Sequence, residues 1–149
     1  MLTKPSIDRH VVEIEDLLRS VGAILRKRGR DMLSNFDITH PQFDALLVLR
    51  EFGELTMGEL CSKMFLACST ATDLIDRMER NGLIERVRDT ADRRVIRLKV
   101  LPKGDAVIDE VLEARRVYLG SILAELDLVD KERLIQSLDQ LNYLMTREV

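Results

Sequence analysis

Tryptophan is absent from this chain of 149 residues, and cysteine occurs only twice, at Cys61 and Cys68. Two cysteines are too few for the disulfide framework of a small secreted domain and fit a reducing compartment. No apolar run approaches the ~20 residues that a membrane-spanning helix needs. The opening Met1-Leu2-Thr3-Lys4-Pro5 lacks the apolar stretch of a signal peptide, so a cytoplasmic chain without a membrane partner is expected. His10, His40, Cys61 and Cys68 show no ligand-like spacing, so neither a metal nor a cofactor is expected. Nucleophile motifs, glycine-rich phosphate loops and dinucleotide fingerprints are missing, which argues against an enzyme. A net charge of −3 excludes a surface coated in positive charge but leaves room for a local basic patch.

What the chain does contain is helical periodicity around one central stretch, Ala67–Val100. From Ala67 to Asn81 the apolar residues Ala71, Leu74, Ile75 and Met78 recur at spacings of three and four, so they share one buried stripe. Ser69, Thr72, Asp73 and Asp76 fall on the opposite face, with Thr70 and Arg77 on its flanks. Asn81-Gly82 ends the helix, because glycine takes the left-handed position past a helix terminus at little cost. Two strand-like runs follow, Leu83–Arg88 and Val95–Val100, separated by the polar tip Asp89-Thr90-Ala91-Asp92-Arg93-Arg94. Between Arg86 and Lys99 stand six basic residues and two acidic ones, a local charge of +4 on an acidic chain. That asymmetry fits a small nucleic-acid contact surface, and it also fits a solvated, salt-bridged hairpin. A helix with a short-polar outer face followed by a basic hairpin is the outline of a winged helix-turn-helix. Such a helix enters the major groove while the hairpin reaches toward backbone and minor groove.

The flanking segments are also helical. Ile7–Leu33 carries Val11, Ile14, Leu18, Val21 and Leu25 at heptad-like spacing, widened by Leu17 and Ile24, an apolar stripe that needs cover from other helices. Its basic cluster Arg26-Lys27-Arg28-Gly29-Arg30 reads as favourable charge near a helix C-terminus or as a ligand- or phosphate-facing patch. Thr39 with Gln42 and Thr56 with Glu59 are capping boxes that open two further helices. Pro102 begins a long helix with an apolar side from Val107 to Leu126. Asp130 is expected to cap the last helix, with Leu134, Leu138, Leu141 and Met145 inside. Packing the terminal helices together and against a second copy is the economical way to bury their faces, and a symmetric dimer presents two lobes to a palindromic site.

In several ordered segments the chain resembles the MarR family of bacterial transcriptional regulators. Arg86-Val87-Arg88-Asp89-Thr90-Ala91-Asp92-Arg93-Arg94 is similar to that family's R-x-x-D-x-x-D-R-R wing, and Glu79–Arg86 is similar to its E-x-x-G-L-I-x-R. Thr56–Leu60 matches T-x-x-E-L, and Pro102-Lys103-Gly104 matches the end of L-T-P-K-G. There are three departures. Ala67 stands where a serine cap is usual, Leu101 stands where threonine is usual, and the helix between is not basic, carrying Asp73, Asp76 and Glu79 against Arg77 and Arg80. Asp73–Arg77 and Asp76–Arg80 have the i,i+4 spacing of supporting ion pairs.

The resemblance implies a mainly α fold with a small β-hairpin wing. A helical dimerisation region (1–36 and 102–149) joins a winged helix-turn-helix region (37–101), with the recognition helix at about 67–81 and the wing at about 83–100. It implies a homodimer on double-stranded DNA, a pseudo-palindromic operator, repression, and release by a small-molecule effector or an oxidant. Ser69, Thr70, Thr72, Asp73 and Arg77 are the expected base and phosphate contacts, and Arg93 the expected minor-groove arginine. Asp92 and Arg94, with Arg86 and Asp89, are expected to brace the wing. Cys61 reads as a buried small hydrophobe. Cys68, in the first turn of the recognition helix, is a candidate redox switch because a helix N-terminus can activate a thiol. The competing reading from another class is a winged-helix protein-interaction adaptor with no DNA role.

Overall fold

The computed structural model describes residues 6–147; the run 1–5, on which the expectation about a signal peptide rests, lies outside them. The elements in order are α1 (Arg9–Ser34), α2 (His40–Phe52), β1 (Leu55–Thr56), α3 (Met57–Met64), α4 (Cys68–Arg80), β2 (Ile84–Arg88), β3 (Ile96–Val100), α5 (Pro102–Leu123) and α6 (Leu128–Thr146). This is the expected mainly helical fold with a small β wing. No described helix is long and apolar enough to cross a membrane. Two compact units, 1–112 and 113–149, divide the chain, and α5 runs from one into the other.

Local sequence sets the helix starts. Thr39 accepts from the Gln42 N–H while the Gln42 side chain accepts from the Thr39 N–H, at 3.4 and 3.0 Å. Thr56 and Glu59 repeat the arrangement at 3.2 and 3.3 Å. Ala67 has no side-chain acceptor, so α4 begins without a side-chain cap and its first-turn amides lack that partner. At the other end of α4, Gly82 takes a φ of 73°, and the Leu83 N–H returns to the Met78 carbonyl at 3.0 Å. The Lys103 ammonium then donates to the Asn81 carbonyl at 2.7 Å, tying the start of α5 to the end of α4.

The sheet is antiparallel, in the order β1-β3-β2. Its hairpin register sets Arg86 opposite Leu98 and Arg88 opposite Ile96. Strand β1 is an addition to the sequence reading. Its two residues pair Leu55 with Leu98 and Thr56 with Arg97, too short a run to show an alternating pattern. The core of the first unit gathers Phe43 and Leu46 of α2, Leu60 of α3, Ile75 and Met78 of α4, Ile84 and Leu98 of the sheet, and Ile108 and Val111 of α5. Gly104 sits where α5 meets this core. A Cβ there would lie 2.4 Å from the Leu83 carbonyl oxygen and 2.8 Å from Val100, so the Pro102-Lys103-Gly104 turn approaches as closely as it does only with glycine.

Three sequence expectations shift. The last helix is capped by Asp127, which accepts from the Asp130 N–H at 2.8 Å, so Asp130 lies inside the first turn instead of before it. Helix α5 stops at Leu123, leaving Leu126 in the turn that follows. Helix α1 continues to Ser34, so the cluster Arg26–Arg30 stands a turn before the end and the last turn holds no basic residue. The apolar stripe of α1 is exposed along its length, with only Gly29 and Leu33 buried among the described residues of that helix. In the second unit α6 has no buried residue, and Ile135, Leu138 and Met145 are more than half exposed.

Candidate nucleic-acid interface

Helix α4 buries Ala71, Ile75 and Met78 and turns Ser69, Thr70, Thr72, Asp73 and Arg77 to solvent. The buried stripe fixes the rotation of the helix, and with it the outward direction of these five residues. They do not form one patch of equivalent groups. Thr70, Asp73 and Arg77 line an open groove with Thr39, Pro41 and Gln42 at the start of α2. The Thr72 hydroxyl donates to the Cys68 carbonyl at 2.8 Å, leaving its oxygen lone pairs directed outward.

The charges on α4 are arranged differently from the i,i+4 pairs that the sequence suggests. Asp76 and Arg80 do not pair side chain to side chain. Arg80 donates to the Asp76 carbonyl at 3.4 Å, while the Asp76 carboxylate takes Arg86 of β2 at 2.6 Å. Arg86 reaches Glu79 as well, at 2.8 Å. One guanidinium thus neutralises two carboxylates and fastens the first strand of the wing to the recognition helix. Asp76 is the main cause that holds the Arg86 guanidinium above its ordinary pKa. Asp73 and Arg77 make no ion pair among the described residues. With Asp76 and Glu79 compensated, Asp73 is the one acidic side chain of α4 without a counter-ion there.

The wing tip is built on two aspartates. Asp89 accepts from the Ala91 N–H at 2.8 Å and from Arg97 Nε at 2.8 Å, and those two contacts, in that order, hold its carboxyl below the usual range. Asp92 takes both Nε and Nη2 of Arg94 at 3.1 Å and the Arg94 N–H at 3.0 Å, which lowers its carboxyl in the same way. The Asp92–Arg94 pair shapes the tip locally, two residues apart, whereas Asp89–Arg97 crosses the hairpin. Arg97 is the residue the sequence reading passed over. It also donates to the Glu54 carbonyl at 3.5 Å and approaches Glu59 at 4.0 Å, linking the tip to the start of α3. The available signal was register. Asp89 pairs with Val95 beyond the last strand residues, so Arg97 is its diagonal neighbour.

Removing the three paired arginines from the basic count of the wing leaves Arg88, Arg93 and Lys99, which make no ion pair among the described residues. Arg93 is exposed at the tip, where it lines an open concavity with Arg88, Asp89 and Thr90. Cys68 is exposed at the first position of α4, and Cys61 is buried. No cluster of three or more metal-ligating side chains occurs among the described residues.

Comparison with known proteins gives a consistent picture. The family model described as "MarR family" matches residues 38–96. The HTH-type transcriptional regulator YsmB of Bacillus subtilis (strain 168), itself uncharacterized, is 47% identical over 99% of this chain and 100% of its own length. The HTH-type transcriptional repressor MdtR of the same organism is 32% identical, with 74% of each chain covered. A solved structure of a MarR family protein from Bacillus stearothermophilus is 47% identical with a TM-score of 0.88, covering 95% of this chain and 99% of that one.

Proposed function

Since the chain belongs to the MarR family of transcriptional regulators, we propose that it is a sequence-specific DNA-binding repressor that acts in the cytoplasm as a homodimer. The observation that carries this reading is the Arg86 bridge. It couples a helix with a polar outer face to a wing whose unpaired cation, Arg93, stands exposed at the tip, so that helix and wing are presented as one unit. In this reading Ser69, Thr70, Thr72, Asp73 and Arg77 contact bases and phosphates in the major groove. Asp73 suits a cytosine amino group, and Arg93 enters the adjacent minor groove. Arg86, Asp89, Asp92 and Arg94 hold the wing in place, and Arg97 joins them.

The terminal regions, 1–36 and 102–149, supply the dimer interface. The exposed stripe of α1 and the exposed apolar residues of α6 support this assignment, because apolar faces of that length on a single chain mark a surface that another protein covers. Two copies then present two winged lobes, 37–101, to a pseudo-palindromic operator. A small molecule or an oxidant releases the DNA.

Fluorescence anisotropy tests the reading. The DNA is a duplex from upstream of the protein's own gene, with a shuffled duplex as control. Binding to the native duplex alone is expected, weakening with salt as phosphate counter-ions compete. Arg93→Ala is expected to cost about 1–3 kcal/mol of affinity. Equal affinity of Arg93→Ala and wild type for every duplex would overturn the reading and point to a protein-interaction adaptor.

A further inference from the structure

The two cysteines belong to different helices but meet across the turn between them. Cys61 lies on α3 and is only 4% exposed, while Cys68 opens α4 in contact with solvent. Phe65, in the left-handed conformation at a φ of 54°, reverses the chain, and the Leu66 N–H returns to the Cys61 carbonyl at 3.1 Å. Two residues further on, Cys68 is within side-chain hydrogen-bonding reach of Cys61. Burial first, and then the neighbouring Cys68, push the Cys61 thiol up to about 11, so Cys61 keeps its proton at neutral pH and is the donor of that contact. The pair therefore has an accessible member and a buried, protonated one, already in contact.

We propose that Cys61 and Cys68 form a reversible disulfide site, in which Cys68 meets a hydroperoxide and Cys61 resolves the product. The Cys68 thiolate attacks the peroxide O–O bond, giving a sulfenic acid at Cys68 and releasing hydroxide, or water once protonated. The Cys61 sulfur then attacks the Cys68 sulfur. The S–O bond breaks, the Cys61 proton leaves with the hydroxyl as a second water, and the S–S bond forms. Two thiols are oxidised by two electrons and one peroxide is reduced by two. Hydrogen-bonded thiols are farther apart than the ~2.05 Å of a disulfide, so closure draws the first turn of α4 toward α3. That turn is the end of α4 without a side-chain cap, and it carries Ser69 and Thr70. The consequence for DNA rests on the function proposed above; the disulfide itself does not.

The test uses the full chain, reduced and then treated with hydrogen peroxide, with two readouts. Intact mass and peptide mapping are expected to show the loss of two hydrogens and a Cys61–Cys68 cross-linked peptide within one chain, reversed by dithiothreitol. Cys68→Ser gives no cross-link, and Cys61→Ala accumulates oxygen adducts at Cys68 instead. Absence of the cross-linked peptide in the wild type, or a cross-link between two chains, overturns the site. If the buried Cys61→Ala variant does not fold, the wild-type map and the exposed Cys68→Ser variant decide by themselves. In the second readout, anisotropy on a bound duplex, oxidation is expected to weaken the wild type by about tenfold, the worth of one base contact, and to leave Cys68→Ser unchanged. Full cross-linking with unchanged affinity overturns the effect on the recognition helix. A reduced protein that binds no duplex defeats the DNA reading instead, and the mass result alone then judges the disulfide.

Discussion

At Arg86 a single guanidinium touches Asp76 and Glu79, while Arg93, in the same basic run, touches no carboxylate among the described residues. Residues of identical charge therefore have different work, and formal charge does not separate them. The sequence identified the run and its aspartates, but not that Arg86 answers α4 or that Arg97 answers Asp89. Both partnerships depend on the packing of a helix against a strand and on the hairpin register, neither of which has a short-range signature. Replacing Arg86 by alanine is expected to lower stability by about 0.5–1 kcal/mol, since its partners are nearly half exposed and screened by solvent. DNA affinity should fall as well, because Asp76 and Glu79 are left uncompensated beside phosphate. Urea denaturation and anisotropy measure the two effects; unchanged affinity would contradict the assigned role.

The acidic members of the wing give a pH prediction at the same scale. The carboxyls of Asp89 and Asp92 both lie below the ordinary 3.8, so the contacts they make are fully present above that value and are lost as pH falls through the lowered ones. The amide resonances of Ala91 and Arg94 should hold steady from about pH 8 to 5 and move only below about pH 4. A transition centred near neutrality would contradict this account of the tip.

Helices were more legible than strands, for reasons visible element by element. The three-and-four spacing of Ala71, Leu74, Ile75 and Met78 gave α4 its direction, and Asn81-Gly82 its end. Thr39 and Thr56 announced α2 and α3 through side chains that reach only three residues. Strand β1 stayed hidden because Thr56 serves as strand residue and helix cap at once. The start of α6 was misplaced because Asp127 and Asp130 both suit a helix start, and only the folded turn selects between them. Gly104 marks where elements meet most tightly, with Leu83, Val100 and Leu46 around the missing side chain. Gly104→Ala should therefore destabilise the fold by about 1–3 kcal/mol through overpacking, although alanine is the better helix former. Thermal unfolding checks the sign; a stabilised variant would mean that the packing here is looser than described.

For the whole molecule, the exposed apolar stripes of α1 and α6 and the winged lobe point to one arrangement, two copies of the chain reading two half-sites. The stripes were plain in the sequence as heptad-like spacing, but spacing alone does not say what covers them. Selection of binding sequences from a random duplex pool by the purified full-length protein tests this most directly, because the pool contains every candidate half-site and the operator need not be chosen in advance. The account predicts enrichment of an inverted repeat with half-site centres about one helical turn, ~10 bp, apart. A pool that stays random through successive rounds, with wild type and Arg93→Ala retaining the same DNA, would contradict it.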